Sequence, residues 1–175
     1  MELIDDRILH RDIITSEGND LHTYSFEKPV VLVFLRHFGC NFCREALSNI
    51  SKIQDTIIDE GFRIIYVHMS DDQTANTYFK KFKIKNPEYI SDPSLSLYQH
   101  FGLTNGDFNQ LFGFKNWSSG FSTILKHGAN LRLSDGLQMP GVFIIFEGEI
   151  KSKFVHKIVS DQPDYLELIK CCIRI

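Results

Sequence analysis

No apolar run in this chain approaches the roughly 18 residues of a membrane span, so a helical membrane protein is not expected. No dense Lys/Arg cluster occurs either. Lys80-Lys81-Phe82-Lys83 comes nearest and reads as the solvated end of a helix, and no nucleic-acid partner is expected. The net charge of −3 carries no strong sign toward any partner. Repeats and low-complexity stretches are absent. The N-terminus, Met1-Glu2-Leu3-Ile4-Asp5-Asp6-Arg7, lacks the basic stretch and apolar core of a signal peptide, which makes the cytoplasm the expected location. Cysteines number only four. In a reducing compartment they are poor candidates for permanent bridges, so a close pair there points to catalysis or metal.

What is present is an ordinary globular composition. With 175 residues, 43% of them hydrophobic, the whole span 1–175 is expected to form one domain around one core. Gly18-Asn19-Asp20 reads as a turn between two short extended segments, Ile13-Thr15 and Leu21-Tyr24. Val30 to Leu35 is apolar throughout, the pattern of a central strand covered on both faces. Cys43, Ala46, Leu47, Ile50, Ile53 and Ile57 then repeat at helical spacing up to Gly61.

A second strand, Arg63 to His68, follows. Ser70 or Asp71 can cap a helix carrying Ala75, Tyr78, Phe79 and Phe82. Asp92-Pro93 opens a shorter helix through Leu97, Tyr98 and Phe101 to Gly102. From Thr104 to Asp135 the pattern weakens, with Phe108, Leu111, Phe112, Phe114, Trp117 and Phe121 among Gly, Asn and Ser. That stretch reads as a helical insertion over the core. Val142 to Phe146, a turn at Glu147-Gly148-Glu149 and a strand from Ile150 to Val155 form a hairpin. A last helix begins near Asp161-Gln162-Pro163. Alternation followed by a hairpin and helix predicts an α/β fold with a mixed sheet.

The chemistry sits in "RHFGCNFCREAL", directly after the first strand. Cys40 and Cys43 stand three residues apart on a first helical turn, close enough for a disulfide after a small adjustment. Unpaired N–H groups and a partial positive charge at a helix start favour a thiolate. Such sites lower a cysteine pKa to roughly 3.5–7.5 from about 8.5, each unit being about 1.4 kcal/mol toward the anion. Arg36, His37 and Arg44 are near in sequence.

Metal is the rival reading, but structural zinc needs four ligands. The other cysteines are the adjacent Cys171-Cys172, and the seven histidines are scattered. Two inert core cysteines would be a third reading: Cys43 fits the apolar helix face, but Cys40 does not. A redox pair joining a βα unit accounts best for both.

These residues, together with "FRIIYVHMSDD", "YISDPSLSLYQHFGL" and "QMPGVFIIFEGEI", resemble the thioredoxin-fold superfamily. More narrowly they resemble its peroxiredoxin-like branch, the alkyl-hydroperoxide-reductase/thiol-specific-antioxidant (AhpC/TSA) group. The resemblance spans most of Val30 to Val155. It implies a thioredoxin-like fold, a central mixed sheet flanked by helices, with an N-terminal extension and a helical insertion at about 104–135 before the C-terminal hairpin. It implies a thiol-disulfide oxidoreductase or thiol-dependent peroxidase using Cys40 and Cys43. The substrate would be a peroxide or protein disulfide, the reductant of thioredoxin or glutaredoxin type, and the assembly a monomer or homodimer. Neither metal nor organic cofactor is called for.

Arg36, Gly39, Pro140 and Gly141 are the accompanying candidates for substrate binding or thiolate support. Pro140 would precede a central strand as either a cis proline against the cysteines or an ordinary trans one. Gly141 would admit a close approach or fit a tight backbone. Cys171 and Cys172 read as structural, with a resolving role as the alternative.

The sequence departs from typical peroxiredoxins, which carry Pro-x-x-x-Thr/Ser-x-x-Cys. Aligning Cys43 with the peroxidatic cysteine puts Cys40 at the hydroxyl position. Pro140 stands where many relatives have arginine. The departures weigh toward a thioredoxin-type dithiol with Cys40 attacking, whereas the alignment supports swapped roles. A non-catalytic or redox-sensing thioredoxin-fold binding protein is the alternative from another class.

Overall fold

The computed structural model describes residues 12–103, 138–157 and 161–173. The expected N-terminal extension before residue 12 and the insertion at 104–135 lie outside the described residues. The elements in chain order are α1 (Leu21–Glu27), β1 (Val30–Phe34), α2 (Asn41–Asp59), β2 (Arg63–His68), α3 (Asp72–Lys81), β3 (Glu88–Ser91), α4 (Ser96–His100), β4 (Gly141–Phe146), β5 (Glu149–Val155) and α5 (Tyr165–Ile173).

Five strands form one sheet in the order β3-β2-β1-β4-β5. β1 pairs in parallel with β2 and antiparallel with β4, so the sheet is mixed as its sequence pattern implies. β1 is buried at every position. Because successive side chains point to opposite faces, Val31 and Val33 enter one core with Ala46, Leu47 and Ile50 of α2, Phe79 of α3 and Ile169 of α5. Val30, Leu32 and Phe34 enter a second core with Leu21 of α1 and Leu97, Tyr98 and Phe101 around α4. The continuous apolar run thus marks a strand sandwiched between two helical layers. The C-terminal end of that strand is fixed from both sides, with Phe34 paired to Val67 and Gly141.

Local chemistry sets most boundaries. α2 stops where Gly61 takes φ +89°, the left-handed conformation that glycine adopts at no steric cost. Asp71 caps α3 by accepting the Thr74 N–H at 2.8 Å. The β4–β5 turn has Glu147 and Gly148 at φ 54° and 76°, both positive as a tight hairpin turn requires. Asp164 accepts the Glu167 N–H at 3.0 Å, so the last helix begins at Tyr165, just after the expected start.

Two expectations need correction, and one strand, β3, has no counterpart in the sequence pattern. Leu21 to Tyr24 is helical, and the proposed hairpin is reduced to a single Ile14–Asp20 bridge. Asp20 accepts the Thr23 N–H at 2.8 Å, and that cap outweighs a short extended pattern. β3 was not anticipated. Its four residues lie at the sheet edge and bury only Ile90, too little for a period to register. Asp92 does cap α4, accepting the Leu97 N–H at 2.7 Å, but the helix starts at Ser96 because Leu95 is left-handed at φ 62°.

His68, at the end of β2, is fully buried against Phe38, Phe79 and Tyr89, with Nδ1 at 3.0 Å from the Ser70 carbonyl oxygen. Burial lowers its pKa, against smaller opposing effects of the Ser70 carbonyl, Asp72 and Asp71. A depressed folded pKa means the unfolded chain takes up a proton first. The associated stability is present above about pH 6.5, the unfolded value, and is lost as pH falls through the folded one. Urea unfolding at pH 7.5 and pH 5 should therefore show wild type losing more stability than His68→Asn, which keeps a donor toward Ser70 but cannot be protonated. Equal losses would contradict this assignment.

Candidate active site

Beyond Phe34 the chain leaves the sheet through a short loop. The Leu35 N–H still donates to the Val67 carbonyl at 2.8 Å, extending the parallel ladder one residue. Phe38, 1% exposed, stacks on Tyr78 and meets Phe79 edge-on, pinning the loop to α3. The Cys40 N–H closes a turn onto the His37 carbonyl at 3.0 Å, and Cys40 becomes the N-cap of α2. One turn along, Cys43 is 3% exposed, whereas Cys40 is half-buried; neither is bridged.

Arg36 ties the two sulfurs to the strand end. Its backbone N–H donates to Cys43 Sγ at 3.1 Å, and its guanidinium Nη1 reaches Cys40 Sγ at 3.5 Å. The residue is 6% exposed, so this strand-end arginine is buried and does not point to water. The two neighbouring cysteine side chains also act on each other, and this interaction divides their acidities.

The Cys43 thiol donating to Cys40 is the largest influence lowering the Cys40 pKa, to about 6. Partial burial opposes the shift, while the Arg36 charge and the Cys43 and Phe42 N–H groups support it. No full cap hydrogen bond reaches the Cys40 sulfur; the helix start acts on it as nearby positive dipoles. Cys43 moves well upward, first because its proton is held by Cys40 and then because it is buried. Near neutral pH the arrangement is therefore an outer thiolate and an inner thiol.

The other candidates divide. Pro140 is buried and lines a small cavity beside Cys43 with Phe42, His156, Gln162 and Tyr165. The cavity volume, about 10 Å³, is near that needed for one water. Its peptide bond is trans, since no described residue follows a cis bond, which resolves the two readings of this proline. Gly141 sits where a β-carbon would lie 2.8 Å from Leu103 Cδ2 and 3.3 Å from the Phe154 carbonyl oxygen, so the tight-backbone reading applies.

Gly39 is exposed just before Cys40, and a β-carbon there would press on His37 Nδ1 at 3.0 Å. Arg44 bonds Asn41 instead of either sulfur. Cys172 lies on α5 against the first core; the Cys171 side chain is outside those described. Gln162, Tyr165 and His156 were not singled out from sequence. They are far away in the chain and come to Cys43 only through the fold. No cluster of His, Cys, Asp or Glu among the described residues could hold a metal ion. No helix among them is long and apolar enough to cross a membrane.

A sulfur pair at the junction of a central strand and its following helix, on a mixed sheet of this order, defines a thioredoxin-fold thiol protein. The pattern of the family described as AhpC/TSA antioxidant enzyme matches residues 49–159, well over half of the chain, and the chain belongs to that family. The matched stretch begins after both Cys40 and Cys43, so membership rests on the remainder of the domain.

Peroxiredoxin 6 of Arenicola marina superposes with a TM-score of 0.66 at 13% identity, covering 95% of this chain and 70% of that one. That likeness shows the peroxiredoxin-type thioredoxin fold. The Arabidopsis thaliana thioredoxin-like protein AAED1, chloroplastic, is 22% identical over 172 residues, 91% of this chain and 69% of that protein. Prostamide/prostaglandin F synthase of Salmo salar is 30% identical over 90 residues, 51% of this chain and 44% of that protein. The chain thus spans less than half the length of the salmon relative.

Alkylation of Cys40 in the reduced protein should follow a pH curve with its midpoint near 6. Arg36→Met, which removes the guanidinium but keeps the backbone donor to Cys43, should move that midpoint upward. A wild-type midpoint near that of a free thiol, about 8.5, would refute the electrostatic assignment.

Proposed function

We propose that the chain is a thiol-dependent oxidoreductase, a single thioredoxin-like domain in which Cys40 attacks and Cys43 closes an internal disulfide. The supporting observation is the asymmetry of two sulfurs at one helix start, the outer one half-buried beside the Arg36 guanidinium and the inner one buried on the Arg36 N–H. Thiolate, not thiol, is the nucleophile, and a pKa near ambient pH combines anion population with nucleophilicity. Arg36 steadies the anion, Gly39 leaves its approach uncrowded, and Pro140 forms part of the wall beside Cys43. Gly141 supports the site indirectly by letting β4 pack closely. The reading places the protein in a reducing compartment, where a dithiol donor is available.

With a hydroperoxide, the Cys40 thiolate takes the terminal oxygen. The O–O bond breaks, an S–O bond forms, and the leaving alkoxide picks up a proton from solvent to depart as alcohol or water. Cys43 then attacks the sulfenic sulfur: the S–S bond forms, the S–O bond breaks, and the hydroxide leaves as water with the Cys43 proton. Two electrons have passed from the two thiols to the peroxide. With a protein disulfide, Cys40 first forms a mixed disulfide and releases one substrate thiolate. Cys43 resolves the link, and the substrate leaves as a dithiol. In either case an external dithiol of thioredoxin or glutaredoxin type returns the electrons by exchange.

Stopped-flow measurement of hydrogen peroxide, a bulky organic hydroperoxide and a protein disulfide, each with a thioredoxin system, tests the reading. Wild type should turn over at least one of these, and Cys40→Ser should fall to background. Cys43→Ser should accumulate mixed disulfides. Trapping in Cys40→Ser alone would reverse the two roles. Absence of turnover with an unreactive Cys40 would leave a non-catalytic thioredoxin-fold binding protein. The name of the salmon relative makes a bulky apolar endoperoxide worth including among the substrates.

A further inference from the structure

Tyr98 has no part in the steps above, yet its hydroxyl ends one peptide group away from Cys43. The ring is fully buried and meets Phe34 edge-on at 5.0 Å. Its position is set by α4, whose start is held by the Asp92 carboxylate on the Ser96 and Leu97 N–H groups at 3.2 and 2.7 Å. The hydroxyl donates to the Leu35 carbonyl oxygen, its nearer partner, with the Val67 carbonyl at 3.3 Å. The Leu35 carbonyl belongs to the same peptide unit as the Arg36 N–H, which donates to Cys43 Sγ at 3.1 Å.

We propose that Tyr98 is a positioning residue for the sulfur pair, its hydroxyl orienting and polarising the Leu35–Arg36 peptide so that the Arg36 N–H binds the Cys43 sulfur more strongly. Hydrogen bonds in series through a peptide group reinforce one another, since charge drawn toward the carbonyl oxygen makes the N–H a better donor. A stronger N–H bond favours the Cys43 thiolate, the form that must attack when the disulfide closes. This inference rests on the reading that Cys43 closes the disulfide, but its test needs no turnover.

Other groups also face Cys43. Arg36 comes from the loop, Cys40 from the N-cap of α2, Tyr165 from α5, and His156 after β5 lines the same cavity with Gln162. All but Cys40 stay in place in the variants compared, so their contributions cancel.

The experiment measures alkylation of Cys43 against pH in a Cys40→Ser background. Tyr98→Phe, which removes only the hydroxyl, should raise the midpoint by about half to one pH unit, or roughly 3–10-fold slower reaction at a fixed pH below it. Site-specific 3-fluorotyrosine at position 98, a stronger donor, should shift it the other way. The Cys40 midpoint, read in a Cys43→Ser background, should not follow. An unmoved Cys43 midpoint with lowered thermal stability would show Tyr98 to be structural only and overturn the proposal, as would equal shifts at both cysteines. Should Tyr98→Phe fail to fold, an unmoved midpoint with 3-fluorotyrosine overturns it alone. Failure of the oxidoreductase reading looks different: shifted midpoints without turnover of any substrate.

Discussion

The hold of one arginine on two neighbouring sulfurs organises this site. Each sulfur also shifts the other, Cys40 toward the thiolate and Cys43 toward the thiol, so the two cannot behave alike even though they lie one helical turn apart. Their depths reinforce the division, with Cys43 buried and Cys40 partly open. Arg36 contributes to both sides, giving its backbone N–H to the inner sulfur and its guanidinium to the outer. A charge-assisted bond of this kind is worth more in a partly dry setting than in water. The cost is that the inner thiol starts protonated.

The surrounding fold holds these atoms in register. β1 has neighbours on both sides and a helical layer on each face, so its end cannot shift without disturbing two cores. Phe38 ties the loop to α3, while Asp92 and α4 bring Tyr98 to the far side of the same peptide. The layers on either side of the sheet thus converge on the Leu35–Arg36 link. The small cavity bordered by Pro140, Gln162 and Tyr165 adds a third approach, from the C-terminal half. Elements distant in sequence supply most of what surrounds the two sulfurs.

That division explains what could be read in advance. β1, α2, β2 and the β4–β5 hairpin each carry a periodic apolar signal or a turn residue, and their positions follow from local chemistry. The cysteine spacing announces a pair because helix geometry alone brings such residues together. α1 and β3 escaped because each is short and buries few side chains. The Arg36 N–H bond to Cys43 and the Tyr98 bond to Leu35 depend on tertiary placement, which no periodicity encodes. Tyr98 was visible as a core residue of a short helix, but nothing in the sequence indicated which backbone group its hydroxyl would meet. The choice between close approach and tight backbone at Gly141 likewise stays open in the sequence because its neighbours, Leu103 and Phe154, are brought together only by the sheet.

Membership in the AhpC/TSA family rests on residues after the cysteines, so the chemistry of the pair has to be established on its own atoms. Treating the reduced protein with one equivalent of hydrogen peroxide, then blocking free thiols and mapping peptides by mass spectrometry, addresses this directly. The account predicts a single bridge joining Cys40 to Cys43, with Cys171 and Cys172 recovered as blocked thiols. Recovery of Cys40 as a sulfenic acid beside an unreacted Cys43, or bridged to the C-terminal helix, would contradict it.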